Sequence, residues 1–120
     1  MKEEISKAMD AHTLWRDKLL TVIDTGKTET PIDIIKTDNN CAFGKWIYSN
    51  EITDEMKKSK IYHDIKEYHA KFHIEAARIA ELALNGNKDM ATSLLQNDGT
   101  YNDLSKNLMQ LLIKWRKDAA

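Results

Sequence analysis

The chain has 120 residues, of which 42% are hydrophobic and 31% are charged, and its formal net charge is −1. This balance is typical of one soluble domain with a modest core and excludes the strongly basic composition of a nucleic-acid-binding protein. No apolar run reaches the roughly 18 residues of a membrane-spanning helix. Because the N-terminus lacks a signal-peptide pattern and one cysteine allows no internal disulfide, we expect a cytoplasmic protein. From its length, we expect residues 1–120 to form a single domain.

The first predicted helix covers about residues 3–25. Its apolar stripe recurs at intervals of three and four residues, as on one face of a helix. The stripe consists of Ile5, Met9, His12, Trp15, Leu19, Val22 and Ile23. Gly26 follows directly, and a glycine in this position is typical of a helix C-terminus. Residues 26–40 are predicted to form a loop in which Ile32, Ile34 and Ile35 are partly buried.

A short helix is predicted to begin near Cys41, with Asn39 or Asn40 as its N-cap. A long helix follows over about residues 59–85 and ends before Gly86. Its stripe consists of Ile61, Ile65, His69, Phe72, His73, Ala76, Ile79, Ala80 and Ala83.

The C-terminal region contains a short predicted helix over about residues 90–96, a break at "NDGT" and a last helix over about residues 101–117. The heptad stripe of the last helix consists of Tyr101, Leu104, Leu108, Leu111 and Trp115. The alternation typical of strands is almost absent. The sequence therefore predicts an all-α fold of the four-helix-bundle type with additional short helices.

Three histidines occupy stripes that are otherwise apolar: His12, His69 and His73. His69 and His73 are four residues apart, so both rings lie on one helix face, about 6 Å apart along the axis. Burying an imidazole without a partner costs about 1–3 kcal/mol. A metal ion shared by these rings would offset that cost.

Cys41 completes a set of three imidazole nitrogens and one thiolate. This donor set suits Zn²⁺, which binds histidine nitrogen and cysteine sulfur in a tetrahedral site. The N-terminus of the predicted short helix would also favour the thiolate. Since the four donors would come from three separate helices, the metal would hold the bundle together.

Spacing alone leaves other interpretations open. Each histidine could be a hydrogen-bonded core residue, and a buried cysteine is most often a small hydrophobic side chain. The aromatic residues Trp15, Trp46, Tyr68 and Trp115 are interpreted as core or rim residues. The fourth histidine, His63, lies about 120° around the helix from His69, so we expect it at the surface.

The segment "CAFGKW" resembles the signature of the chemoreceptor zinc-binding domain family. Cys41, Phe43, Gly44 and Trp46 match that signature, and Tyr48 fits the aromatic residue that follows it. In addition, "AHTLW" resembles the family's histidine on the first helix, and "HAKFH" resembles its pair of histidines on a later helix. The order of histidine, cysteine, histidine and histidine is that of the family, and the resemblance extends over nearly the whole chain.

The resemblance implies a helical bundle that holds Zn²⁺ through His12, Cys41, His69 and His73. It further implies a cytoplasmic sensory module, often a homodimer, that works with a chemoreceptor or a diguanylate cyclase and responds to zinc availability or to oxidants such as hypochlorous acid. The 120 residues include neither a receptor signalling helix nor a cyclase domain. The chain is therefore expected to be either a free-standing protein or an excised domain.

The corresponding hypothesis is a redox switch at Cys41. Hypochlorous acid would convert the thiolate to a sulfenic acid, which is a poor ligand. The metal would then be held less tightly, and the segment around Cys41 would be free to move. In this hypothesis Gly44 permits close packing, and Phe43 and Trp46 transmit the shift to the core.

Three other functions were weighed against this hypothesis. A zinc hydrolase of the HExxH type needs a glutamate where Ala70 stands, and four protein ligands would leave no open position for water. A hemerythrin-like di-iron protein has a similar length and bundle, but it needs about five histidines with bridging carboxylates and no cysteine. A metal-free helical interaction module is the third alternative.

Overall fold

A computed structural model describes residues 2–39, 41–96 and 99–118 of the chain. Within these ranges the chain forms seven α-helices and no strand. The helices are α1 (Lys2–Thr25), α2 (Ile32–Lys36), α3 (Ala42–Ile47), α4 (Asp54–Lys57), α5 (Lys60–Leu84), α6 (Lys88–Gln96) and α7 (Thr100–Asp118). None of these described helices has the length and apolar composition needed to cross a membrane.

Four helices, α1, α5, α6 and α7, form the bundle, and each of them packs against the other three. The short helices are attached to this bundle: α2 and α4 pack on α5, and α3 packs on α1. The predicted all-α bundle with additional short helices is therefore confirmed. Trp115, Phe72 and Leu19 are among the largest fully buried side chains of the core.

The long helices end where the glycines predict. α1 stops before Gly26 and α5 stops shortly before Gly86, and these two glycines have φ angles of +68° and +86°. Such left-handed backbone is open to glycine at little steric cost. α5 begins after Ser59, whose hydroxyl accepts a hydrogen bond from the backbone N–H of Tyr62. The predicted break at "NDGT" includes Asn97 and Asp98, which lie outside the described residues.

The predicted loop over residues 26–40 contains a helix instead. The carbonyl of Pro31 accepts hydrogen bonds from the backbone N–H groups of Ile34 and Ile35, which starts α2. Ile35 is 3% exposed, whereas its neighbour Ile34 is 44% exposed. A helix of five residues is too short to show periodicity in the sequence, and its packing on α5 stabilises it.

The N-cap of α3 is Cys41 and not Asn39, and the alternative Asn40 lies outside the described residues. The backbone N–H of Gly44 donates to Cys41 Sγ at 3.3 Å. Sulfur is a weak acceptor, which is why the sequence pattern favoured the asparagines. Gly44 itself is required by packing, because a Cβ at this position would lie 1.7 Å from the carbonyl oxygen of Asp38.

The buried stripe of α7 differs from the predicted heptad at one position. Leu112 is 1% exposed, whereas Leu111 is only partly buried against the core. α7 packs against α1, α5 and α6, so its buried face follows the 3.6-residue turn of a straight helix and not a strict heptad.

Candidate metal centre

Three of the four predicted ligands meet at one point. Cys41 Sγ lies 3.5 Å from His69 Nε2 and 3.6 Å from His73 Nε2, and the two Nε2 atoms are 3.1 Å apart. Both histidines are buried, and Cys41 is partly buried. Among the described residues, these three side chains form a group whose geometry could hold a metal ion.

The positions of the three donors follow from two local features of the chain. His69 and His73 are one helical turn apart on the buried face of α5, as their spacing predicts. Cys41 is placed by the start of α3, where the bond from the Gly44 N–H fixes its sulfur. The missing side chain of Gly44 allows the Asp38 backbone to lie against α3, which brings the preceding segment close to α5.

The ring of His73 is oriented by the backbone of α2. His73 Nδ1 lies 2.9 Å from the carbonyl oxygen of Ile35. Because a carbonyl oxygen can only accept, Nδ1 donates its proton there, and in the neutral ring Nε2 presents a lone pair to Cys41 and His69. Histidines that bind metals in proteins almost always have such a second partner.

His69 is held differently. Its Nδ1 is buried without a hydrogen-bond partner among the described residues. The ring of Phe43 packs edge-on against it, with 5.0 Å between the ring centroids. On its Nδ1 side, packing against Phe43, and not a hydrogen bond, therefore positions this imidazole.

The environment keeps the donors neutral when no metal is bound. Burial, together with a smaller effect of the neighbouring His73, lowers the pKa of His69 to about 3. Burial also lowers the pKa of His73, although the bond to the Ile35 carbonyl opposes this shift. The pKa of the Cys41 thiol is raised by burial, against a lowering effect of the Gly44 N–H. At neutral pH the site thus offers two neutral imidazoles and a thiol whose ionisation a bound cation would favour.

One carboxylate lies near this set. The charge of Asp38 partly opposes the lowering of the pKa of His69 and His73 by burial, and it adds to the raising of the pKa of Cys41 by burial. Its Oδ2 accepts a hydrogen bond from the hydroxyl of Tyr48. The carboxylate supplies a negative charge that would partly compensate a bound cation.

The spacing of the donors fits a zinc ion. Zn–S bonds of about 2.3 Å and Zn–N bonds of about 2.0–2.1 Å in a tetrahedron place sulfur and nitrogen about 3.6 Å apart and two nitrogens about 3.3 Å apart. The observed separations are 3.5 and 3.6 Å for sulfur to nitrogen and 3.1 Å for nitrogen to nitrogen. A single ion between the three atoms would therefore require only small shifts of the side chains.

The fourth predicted ligand, His12, lies close by but outside this group of three. It is buried on α1, where its ring packs on Phe72 with 4.3 Å between the centroids. Its Nε2 lies 2.7 Å from the hydroxyl of Ser105 on α7. Burial lowers the pKa of His12 to about 4. The structure therefore brings Cys41, His69 and His73 together and leaves His12 at the edge of the site.

A cavity of about 140 Å³ connects His12 with the other three donors. Its remaining wall is mainly apolar and aromatic, and includes Trp15, Trp46 and Phe72. His12 faces the same space as the group of three, so the cavity gives its ring a path towards them. His63, in contrast, is exposed and does not line this cavity.

Sequence reasoning missed three contributors to the site: the carbonyl of Ile35, the hydroxyl of Ser105 and the carboxylate of Asp38. The first two act over 38 and 93 residues of sequence, and no local pattern marks such contacts. The nearness of Asp38 to Cys41 was visible in the sequence, but a lone aspartate in a polar segment gives no distinctive signal.

Comparison with known proteins gives one family. The family model described as the chemoreceptor zinc-binding domain matches residues 12–80, which is more than half of the chain. The matched span contains all four predicted ligands, whereas Ser105 and the rest of α7 lie outside it. No curated protein and no solved structure matches the chain.

Proposed function

The chain belongs to the chemoreceptor zinc-binding domain family, and on this basis we propose that it is a sensory domain which binds one Zn²⁺ ion. His69, His73 and Cys41 are the central ligands, and His12 is the fourth. The observation that supports this proposal is the meeting of a sulfur and two imidazole nitrogens at separations of 3.1–3.6 Å. A set of four protein ligands is typical of a closed, non-catalytic site.

The ligand that carries the signal in this proposal is Cys41. A cation held by these residues would stabilise the Cys41 thiolate, which burial alone disfavours. In an encounter with hypochlorous acid, the thiolate sulfur forms a bond to oxygen and the O–Cl bond breaks. The products are a sulfenic acid and chloride, so the sulfur is oxidised, the chlorine is reduced, and the single negative charge leaves with the chloride. Oxidised Cys41 is a poor ligand. Zinc availability would act through the same site, which is occupied when zinc is abundant and empty when zinc is scarce.

A chain of aromatic contacts supports transmission from the site to the core. Phe43 packs against His69 and against Trp46, with 5.0 and 5.8 Å between the ring centroids. Trp46 in turn packs against Trp115 of α7 at 5.5 Å. Release of Cys41 would free the start of α3, and Phe43 and Trp46 would pass that shift to α7.

The proposed setting is a cytoplasmic signalling system. The matching family is named for chemoreceptors, and the resemblance described above adds diguanylate cyclases as a second class of partner and a homodimer as the working state. No enzymatic activity is proposed, because in this assignment every metal position is taken by a protein side chain.

The testing experiment measures zinc content and chelator response together. Wild type, purified without an affinity tag, is compared with Cys41→Ala, His69→Ala and His63→Ala by elemental mass spectrometry and by thermal melting with and without a chelator. We expect about one zinc per chain in wild type and a marked fall in Tm on chelation, since a ligand that binds only the folded state stabilises it. His63→Ala is the matched control, because this exposed histidine lies away from the site.

Three results would contradict the proposal. Equal zinc content in wild type and Cys41→Ala would remove Cys41 from the site. A Tm that chelators leave unchanged would favour the metal-free interaction module, and visible absorption with bound iron would favour the di-iron alternative.

A further inference from the structure

His12 is hydrogen-bonded to a residue on a different helix from the other ligands. The hydroxyl of Ser105 on α7 lies 2.7 Å from this nitrogen, and the two residues are 93 positions apart. His12 is 7% exposed, and its ring is confined by Phe72 on one side. This contact ties α1 to α7 at the edge of the candidate zinc site.

With this contact made, His12 lies outside the group that the other donors form. The donor atoms of Cys41, His69 and His73 lie within 4.8 Å of one another, and those of His12 do not belong to this set. Around one zinc ion, each pair of ligand atoms is separated by only about 3.3–3.6 Å. His12 must therefore approach at least one of the other three donors by about an ångström or more before it can bind the ion.

If His12 binds the metal through Nε2, this movement stretches the present contact, which uses the same nitrogen. A hydrogen bond that starts at 2.7 Å is lost once the separation exceeds about 3.5 Å. If His12 moves towards the metal, either the bond to Ser105 breaks or α7 must follow. The cavity of about 140 Å³ that His12 shares with the other donors provides the space for this movement.

We propose that Ser105 and the metal ion compete for His12, so that zinc binding changes the contact between α1 and α7. This inference rests on the proposed zinc-binding function. Ser105 is a positioning residue in this scheme. Its hydroxyl holds His12 away from the metal position and so weakens the binding of the metal. The position of α7 then reports whether His12 is engaged, and α7 lies outside the span that the family model matches.

The first test measures zinc affinity by competition with a chromophoric chelator in wild type, Ser105→Ala and Ser105→Thr. Loss of the hydroxyl removes the side-chain part of the contact and keeps the Ser105 backbone. We expect Ser105→Ala to bind zinc about fivefold more tightly, since one hydrogen bond between neutral groups changes an equilibrium constant by a factor of roughly 2–12. Ser105→Thr keeps the hydroxyl and should retain the wild-type affinity. Ser93→Ala, an exposed position on α6, is the matched control for replacing serine by alanine within a helix.

The second test follows amide hydrogen exchange in α7, which reports the competition in the wild-type chain without any substitution. We expect zinc to accelerate exchange around Ser105 in wild type and in Ser105→Thr, because the contact with α1 is released. In Ser105→Ala, exchange should be fast already and should not respond to zinc. If zinc did not change the hydrogen exchange of α7 in wild type, the proposal would be overturned, even if Ser105→Ala failed to fold.

The other outcomes separate this inference from the proposed function. Weaker zinc binding by Ser105→Ala would mean that Ser105 supports His12 as a ligand and does not compete for it. Unchanged affinity would mean that Ser105 and zinc binding are not coupled. If His12→Ala bound zinc as tightly as wild type, His12 would not be a ligand. The proposed competition would then be wrong, whereas zinc binding by Cys41, His69 and His73 would still stand. If wild type bound no zinc, the proposed function would fail first.

Discussion

Cys41 combines two roles that are usually separate. Its sulfur accepts the backbone N–H of Gly44 at the start of α3, and the same sulfur faces His69 and His73. A change in the chemistry of this one atom therefore alters both the donor set and the cap of the helix. The sequence indicated the role of Cys41 as a metal ligand through the signature around it, whereas its capping role depends on backbone geometry that the sequence did not reveal.

A substitution at Gly44 should separate the close packing of this segment from the donor chemistry. In Gly44→Ala the new methyl group would lie 1.7 Å from the Asp38 carbonyl oxygen, so the backbone must shift. Overpacking of this kind typically costs about 1–3 kcal/mol, and we expect a loss of that size in the free energy of unfolding, measured by urea denaturation, together with weaker zinc binding.

Gly99→Ala is the matched control for that substitution. A Cβ at Gly99 would lie 3.4 Å from the Leu94 carbonyl oxygen, which is an ordinary contact. The two variants should therefore differ clearly in stability. Equal stabilities would mean that the segment before α3 shifts at little cost in free energy. The close packing at Gly44 would then not require a glycine.

The helices show how far periodicity predicts structure. The stripes and the glycines located α1, α5 and α7 to within a few residues, because helices of 19–25 residues repeat the pattern over several turns. They could not locate α2 or α4, which have five and four residues. Such single turns are stabilised by contacts with the rest of the fold, and those contacts leave no periodic signal in the sequence.

In the candidate site, too, the sequence predicted the local features and not the contacts between helices. The spacing of His69 and His73 predicted their shared face, because that relation is local to one helix. The orientation of His73 by Ile35 and of His12 by Ser105 depends on how α2 and α7 dock, which the sequence does not specify locally.

The docking of α2 on α5 can be tested with two adjacent isoleucines. Ile35 is 3% exposed and Ile34 is 44% exposed. We expect Ile35→Ala to lower the free energy of unfolding by about 2–4 kcal/mol, through lost burial and the cavity that remains. It should also weaken zinc binding, since the carbonyl that orients His73 belongs to this residue.

Ile34→Ala is the control within the same helix. It removes the same number of atoms from an exposed position, so both quantities should change little. Urea denaturation and competition for zinc measure the two effects. A similar loss in both variants would show that the docking of α2 is not what orients His73.

Over the whole molecule, the buried histidines link stability to pH. Burial lowers the pKa of His12 from 6.5 to about 4 and that of His69 to about 3. In the unfolded chain these groups take up protons at a higher pH than in the folded state, so acid favours unfolding. We expect the metal-free protein to keep this part of its stability above pH 6.5 and to lose it progressively as the pH falls towards 3.

The measurement is urea denaturation of chelator-treated protein at a series of pH values. Acidic side chains also titrate in this range, so wild type is compared with His12→Gln, which retains a polar group near Ser105 but has no proton to gain. The variant should show the weaker dependence between pH 6.5 and 4. Parallel curves for the two proteins would contradict a contribution from His12.

The positions of the tryptophans have a practical consequence. Trp15 meets the ring of His73 edge-on with 6.0 Å between the centroids, and Trp46 lines the cavity while it packs on Trp115. All three tryptophans of the chain are thus next to the candidate metal centre or one ring away from it. The intrinsic fluorescence of the protein is a built-in optical probe, with which occupancy of the site can be followed in real time without attaching a dye.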